Sequence, residues 1–357
     1  MGADKLSLYV KINKKLHQFD LNIDFQAGND ILGLLGISGS GKSMTLACIA
    51  GLEKPDSGYI ELNGRVLYDS SRGIDLPSRD RRVGYVFQNY ALFPHMTVEQ
   101  NIGFGLNNTD KWERKEKIKK LIDMMHLQGF EKRYPNQLSG GQQQRTALAR
   151  VLAVNPEVIL LDEPFSALDV QLREQMICRL KVLLSEYGGT ALFVTHNMDE
   201  VYNICSKIII LSNGHIEAFD DREKVFNSPS SLAAAQVTGC KNIFAIEKIN
   251  KGTVKLKGWG QEITVNIAAE YAKYICIRSH QVELWKGYSG ENLLECIPVS
   301  VDEAPFNVMV TLKLKDVEAL SEDTILHWDM SREQWAEISN IKLPWKIWLD
   351  PAKINVF

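Results

Sequence analysis

The chain has 357 residues, 45% of them hydrophobic, and a formal net charge of −3, which allows two ordinary cores and gives no basic excess to draw a nucleic-acid partner. Six cysteines (Cys48, Cys178, Cys205, Cys240, Cys276, Cys296) lie far apart without a C-x-x-C pair, which speaks against a zinc site or a disulfide framework and fits a reducing cytosol. Met1-Gly2-Ala3-Asp4-Lys5 lacks the basic-then-apolar layout of a signal peptide, and no uncharged apolar run approaches the ~20 residues that span a bilayer, so a membrane role has to act through a partner.

Near the start, Leu6, Leu8 and Val10 form one period-2 set and Phe19, Leu21, Ile23 and Phe25 another, which predicts paired strands with one face buried. Ile31–Leu35 reads as a short buried strand and Met44–Ala50 as a helix. Between them Gly36-Ile37-Ser38-Gly39-Ser40-Gly41-Lys42-Ser43 fits G-x-x-x-x-G-K-[ST]. That loop turns successive backbone N–H groups onto phosphate, reaches the outer phosphates with its lysine and offers its serine hydroxyl to Mg²⁺. Strand, loop, helix is the order that aims a helix N-terminus at an anion. Asn63-Gly64 and Asn213-Gly214 each separate two apolar runs and predict hairpins. Arg82–Phe87 reads as a strand, and residues 97–152 as mostly helical, with capping boxes at Thr97-Val98-Glu99-Gln100 and Ser139-Gly140-Gly141-Gln142. The charged run Lys111–Lys120 predicts a solvated helix face. From residue 158 strands and helices alternate again: Val158–Leu161, a helix over 170–187, Ala191–Thr195, then a helix over Asp199–Cys205. A boundary is expected at 235/236, after which short β-rich runs (Ile243–Ile246, Ile263–Val265, Ile275–Ile277, Leu294–Val301, Asn307–Leu314) predict a small all-β barrel.

Three further positions belong with the phosphate loop. Asp162 and Glu163 end the apolar strand Val158–Leu161, where a parallel sheet opens onto its ligand crevice. There Asp162 would assist Mg²⁺ while Glu163 faces the attacking water, the division of labour that ATP hydrolysis needs. Gln88 closes the strand Arg82–Phe87 and can reach Mg²⁺ and that water; His196, in the same place after Thr195, can hold the γ-phosphate or the water. Ser139, Gly140, Gly141 and Gln142 start a helix as a second anion receptor. The phosphate loop already fills one side of the nucleotide, so a receptor more than ninety residues away implies closure over ATP from another subunit.

Residues 1–235 resemble the ATP-binding subunit of an ABC transporter. The Walker A loop (36–43), Q-loop (Gln88), signature (138–142), Walker B segment (158–163), D-loop (Ser166-Ala167-Leu168-Asp169) and switch histidine (His196) occur in the family's order. The resemblance implies an α/β P-loop NTPase cassette with antiparallel β and helical subdomains, the latter over about 97–152, followed by a C-terminal, OB-like β domain over 236–357. It implies a head-to-tail dimer that holds two ATP molecules, each between the Walker A loop of one copy and the signature of the other. Glu163 would be the catalytic base, helped by Gln88 and His196; Ser43, Gln88 and Asp162 would face Mg²⁺, and Asp169 would lie by the nucleotide. It further implies a membrane permease docked on about 88–106, an extracytoplasmic binding protein, and a peripheral place on the cytoplasmic face of the membrane. The family stacks adenine on an aromatic residue near position 14, where this chain has Asn13-Lys14-Lys15-Leu16-His17, so Tyr9, His17 and Phe19 stay open as the platform.

The stretches Asn63–Asp69, Ile74–Pro77, Arg81–Gln88, Ser231–Ala235 and Thr238–Asn242 look like the molybdate-import ATPase group, in which the tail resembles an oxyanion-binding barrel. Molybdate or tungstate is therefore the expected cargo; sulfate, ferric iron, polyamine and sugar importers share the cassette and are the alternatives. A soluble, non-transport cassette ATPase is the remote rival, and the single cassette without a heptad run counts against it.

Overall fold

The computed structural model describes residues 8–106, 110–166, 168–250, 252–266, 272–287, 290–317 and 321–357. Leu6 of the first strand and Ala167 of the D-loop lie outside the described residues. The chain divides into two compact units, the first ending at Val225 and the second beginning at Phe226.

In chain order the first unit runs β1 (Leu8–Lys15), β2 (Asp20–Ala27), β3 (Ile31–Leu35), α1 (Lys42–Ala50), β4 (Ser57–Leu62), β5 (Arg65–Asp69), β6 (Ile74–Asp75), β7 (Val83–Val86), α2 (Val98–Ile102), α3 (Lys111–Met124), α4 (Gly140–Ala153), β8 (Val158–Asp162), α5 (Val170–Tyr187), β9 (Thr190–Thr195), α6 (Met198–Ile204), β10 (Lys207–Ser212) and β11 (His215–Asp221), with α7 (Arg222–Asn227) across the division. The eleven strands follow the order β6-β5-β4-β1-β2-β11-β10-β3-β9-β8-β7. Five of them, β10-β3-β9-β8-β7, are parallel throughout. β8 and β9 are buried at every position, which is why they read as continuous apolar runs rather than alternating ones. β2 alternates strictly, with Leu21, Ile23 and Phe25 inward, and pairs antiparallel with β1 from Leu8 opposite Ala27 to Lys15 opposite Asp20. Both Asn-Gly turns form: β4–β5 closes on Asn63-Gly64 and β10–β11 on Asn213-Gly214, each Asn and Gly in the left-handed region.

One buried cation fixes the helix that follows the phosphate loop. Arg81, with no exposed surface, donates to the carbonyls of Cys48 (2.8 Å) and Ile49 (3.0 Å) at the C-terminal end of α1, to Leu76 O (2.7 Å), and to the Asp75 carboxylate (2.9 Å). Carbonyls at a helix C-terminus have no partner within the helix, so a guanidinium there satisfies them and complements the helix dipole. Gly51 ends α1 in the left-handed region, where an added Cβ would fall 2.5 Å from Arg81 Nε.

The second unit contains α8 (Leu232–Val237), β12 (Asn242–Asn250), β13 (Thr253–Leu256), β14 (Glu262–Thr264), β15 (Tyr274–Ile277), β16 (Glu283–Leu284), β17 (Leu293–Glu303), β18 (Asn307–Leu314), β19 (Ile325–Ser331), α9 (Arg332–Ile338), β20 (Trp345–Trp348) and β21 (Asn355–Val356). They make two five-stranded sheets, β14-β13-β12-β15-β21 and β16-β20-β17-β18-β19, around a core that includes Phe244, Trp259, Trp328 and Trp345. The division precedes the expected 235/236 boundary because residues 226–240 are tied to this unit. Buried Arg278 donates to Thr238 O (2.6 Å), Thr238 Oγ1 (2.7 Å) and the Phe226 carbonyl. Helix α8, strands β13 and β16, the strands after residue 314 and α9 are additions to the sequence expectation. All six cysteines are free.

Candidate functional site

The phosphate loop lies between β3 and α1, at the end of the parallel strands that also carries Asp162 and Glu163. Gly41 holds the N-cap position of α1 at φ 104°, a conformation only glycine adopts freely, so the helix N-terminus follows the loop without a break. At Gly36 the constraint is space: a Cβ would stand 2.2 Å from Leu211 O. Lys42 is 5% exposed and donates from Nζ to Gly36 O (2.8 Å) and Ile37 O (2.9 Å), which keeps the ammonium folded over the loop. Burial lowers its pKa, while the Glu163 and Asp162 carboxylates pull it back up. The Ser40 hydroxyl is buried without a protein partner.

Across the crevice both oxygens of Asp162 are engaged. Ser43 Oγ donates to Oδ1 at 2.8 Å and Tyr85 OH to Oδ2 at 2.9 Å. Tyr85, on β7 and stacked on Phe87 at 4.3 Å between ring centroids, was not among the residues expected from sequence. Its signal was the central position in a strand that ends at the crevice. Burial, and then the Asp162 charge, push its hydroxyl pKa well up, so it stays a donor.

Glu163 sits at φ 44°, an uncommon conformation for a residue with a side chain and one often found at functional sites. Its N–H donates to Val194 O (2.9 Å), and its carbonyl accepts from the Ser166 hydroxyl (3.0 Å). The carboxylate lies between Gln88 Nε2 (3.2 Å from Oε2) and His196 Nδ1 (3.3 Å from Oε1). Sequence reasoning aimed Gln88 at Mg²⁺ and the attacking water and His196 at the γ-phosphate or that water; in the structure both side chains meet on Glu163, the residue expected to face the water. They converge because β7, β8 and β9 are adjacent parallel strands and each residue follows one of their ends.

An open cavity of about 440 Å³ is lined by Leu16, Phe19, Ser38 to Met44, Gln88 and Glu163. Phe19 and Leu16 thus flank the loop. Of the three candidate platforms for adenine only Phe19 lines the cavity; Tyr9 packs on Tyr59 at 5.9 Å instead. No residue of 138–142 lines it. Ser139 caps α4 elsewhere, accepting from Gln142 N (3.4 Å) while its own N–H donates to Gln142 Oε1 (2.9 Å). Gly140 and Gly141 form the first turn of α4, and an added Cβ on Gly141 would meet Leu172 at 3.0 Å. Asp169 caps α5, accepting from Leu172 N at 2.8 Å. Within one copy, then, the structure gathers residues 36–43, Gln88, Asp162, Glu163 and His196, and leaves Ser139–Gln142 outside.

The donors suit a magnesium–triphosphate. Ser43 and Asp162 offer hard oxygens side by side, and Mg²⁺ usually takes one or two protein oxygens and completes its shell with phosphate and water. The Ser40 hydroxyl and the loop N–H groups are donors for phosphate. Among the described residues no group of three or more His, Cys, Asp or Glu could hold a metal alone.

Comparison with known proteins agrees with this geometry. The ABC transporter family matches residues 19–166. The chain is 35% identical over 350 residues to the sulfate/thiosulfate import ATP-binding protein CysA of Bacillus cereus, covering 95% of this chain and 93% of that protein. It is 39% identical over 311 residues to the protein of the same name from Vibrio cholerae, covering 84% and 81%. Among solved structures, a dimeric post-hydrolysis state of the ATP-binding cassette MJ0796, bound to ADP and Pi, matches with a TM-score of 0.51 and 31% identity over 60% of this chain and 98% of that one. A phosphate loop facing an Asp-Glu strand end, and similarity to the Bacillus cereus protein along 95% of its length, show that this chain belongs to the ABC transporter family as an ATP-binding subunit.

Proposed function

We propose that two copies of this chain hydrolyse ATP head to tail on the cytoplasmic face of a membrane and so drive a permease that imports a tetrahedral oxyanion of the sulfate class. Similarity to sulfate/thiosulfate import proteins that extends through the C-terminal unit is the observation that carries the choice of cargo. It favours sulfate, one of the alternatives, over the expected molybdate. Of the stretches that suggested molybdate, those within 63–88 belong to the first unit and those within 231–242 to the start of the second. No helix among the described residues is long and apolar enough to cross a membrane, so transport requires separate permease subunits. The half-buried Leu92, Phe93 and Met96, with exposed Phe104 tilted against Phe93 at 4.3 Å between ring centroids, give 88–106 the apolar relief of a docking groove.

In this reading the loop N–H groups and Lys42 hold the phosphates, with Lys42 nearest the charge that grows as the terminal phosphoryl leaves. Ser43 and Asp162, the latter oriented by Tyr85, would hold Mg²⁺, whose chemistry there would be neutralisation of phosphate charge. Glu163 takes the proton of the attacking water, and Gln88 and His196 fix its carboxylate from either side. Ser139–Gln142 of the other copy closes the site with a helix N-terminus. The C-terminal unit would then regulate this cycle by binding oxyanion or another protein.

The cargo is tested by reconstituting the complex with its permease and binding protein in vesicles and measuring ATP hydrolysis. Sulfate or thiosulfate should stimulate it several-fold more than molybdate at equal concentration. Stimulation by molybdate with none by sulfate would reverse the assignment and leave the ATPase reading intact.

A further inference from the structure

The turn that carries Gln88 is held from one side by a residue the reaction above does not use. Tyr90 and Ala91 both lie in the left-handed region, at φ 61° and 43°, so two successive residues with side chains adopt an unfavourable backbone. Arg150, in the last turns of α4, donates from Nη2 to Tyr90 O (2.9 Å) and from Nη1 to Ala91 O (2.7 Å), and its guanidinium lies 5.3 Å from the centre of the Phe93 ring. Among the described residues no carboxylate pairs with Arg150; its charge is spent on these carbonyls and this ring. Tyr90 is 3% exposed, and its hydroxyl donates to the carbonyl of Pro164 (3.3 Å), the residue after Glu163. Two residues before Tyr90, Gln88 touches the Glu163 carboxylate. The helix that ends near Arg150 begins at the Ser139 cap.

We propose that Arg150 is a positioning residue for hydrolysis: its two-pronged grip on the Tyr90 and Ala91 carbonyls sets Gln88 against Glu163 and makes Gln88 follow the helix that starts at Ser139–Gln142. The inference rests on the proposed roles of Gln88 and Glu163. A planar fork suits two neighbouring carbonyls as a single ammonium does not, so lysine is a poor substitute. The grip lies away from residues 36–43, so it bears on the chemical step and not on nucleotide affinity.

The test is a double-mutant cycle on ATP hydrolysis by the full chain, with ATP affinity and thermal unfolding measured alongside. Arg150→Gln should lower kcat by about tenfold or more with KM for ATP within about twofold, the pattern of a lost transition-state contribution. Arg150→Lys should restore little of it. In a Gln88→Ala background, Arg150→Gln should cost less than about a further twofold, because the group it positions is already gone. Losses that multiply would overturn the inference, as would a parental kcat in Arg150→Gln or a rise in KM without a fall in kcat. Gln88→Ala as active as the parent would overturn it too, and would show that the role given to Gln88 was the failing step. Should Arg150→Gln not fold, Arg150→Lys carries the same cycle.

Discussion

Lys42→Ala is expected to weaken ATP binding by about 100-fold or more, roughly 2.7 kcal/mol. The ammonium is nearly buried, and its present partners are two carbonyls of the loop itself, so its charge is poorly matched until phosphate arrives. A charge-assisted contact to phosphate in a partly desolvated site is worth more than a neutral hydrogen bond, and alanine removes it entirely. The fold should survive, because α1 is anchored at its other end by Arg81. Equilibrium binding of a fluorescent ATP analogue checks this; parental affinity would mean that the loop does not grip the triphosphate as described.

Glu163→Gln should leave ATP affinity near the parent value and reduce kcat by about 10²–10⁴-fold, the usual range for loss of a general base. The amide has the carboxylate's shape, so the contact with Gln88 can persist through its oxygen. It cannot take a proton from water. With hydrolysis blocked and binding intact, the ATP-loaded dimer should accumulate, visible as a nucleotide-dependent doubling of mass in light scattering. Hydrolysis by Glu163→Gln at the parent rate would move the base to another residue.

What could be read from the sequence was set by how local each signal is. The phosphate loop, the strand that ends at Asp162-Glu163 and the cap at Ser139 are contiguous segments whose residue types state their chemistry, and each lies where its segment placed it. The two Asn-Gly hairpins were legible for the same reason. Contacts between distant segments were not. Tyr85 reaches Asp162, 77 residues on, and Gln88 reaches Glu163 across 75, through strand adjacency that no local spacing reports. The meeting of Gln88 and His196 on one carboxylate follows from the strand order β9-β8-β7. In the tail, β19 alternates Leu326, Trp328 and Met330 inward, a period-2 signal that was present but followed a charged stretch. Strand β20, Trp345–Trp348, alternates only over Trp345, Lys346 and Ile347, too short a run to stand out. The early division after Val225 depends on Arg278 reaching Thr238, again a long-range contact.

Whether each nucleotide is enclosed by two molecules is decided most directly by a mixing experiment. One preparation carries Ser38→Cys and the other Ser139→Cys, both with Glu163→Gln and with exposed Cys178 replaced by serine; the other native cysteines are buried. Mixed with ATP and a short bifunctional thiol reagent, the two should give a covalent dimer that neither yields alone and that fades without nucleotide. If the mixture stays monomeric at saturating ATP, or a chain bearing both cysteines links only to itself, the site is not shared between copies and the account fails.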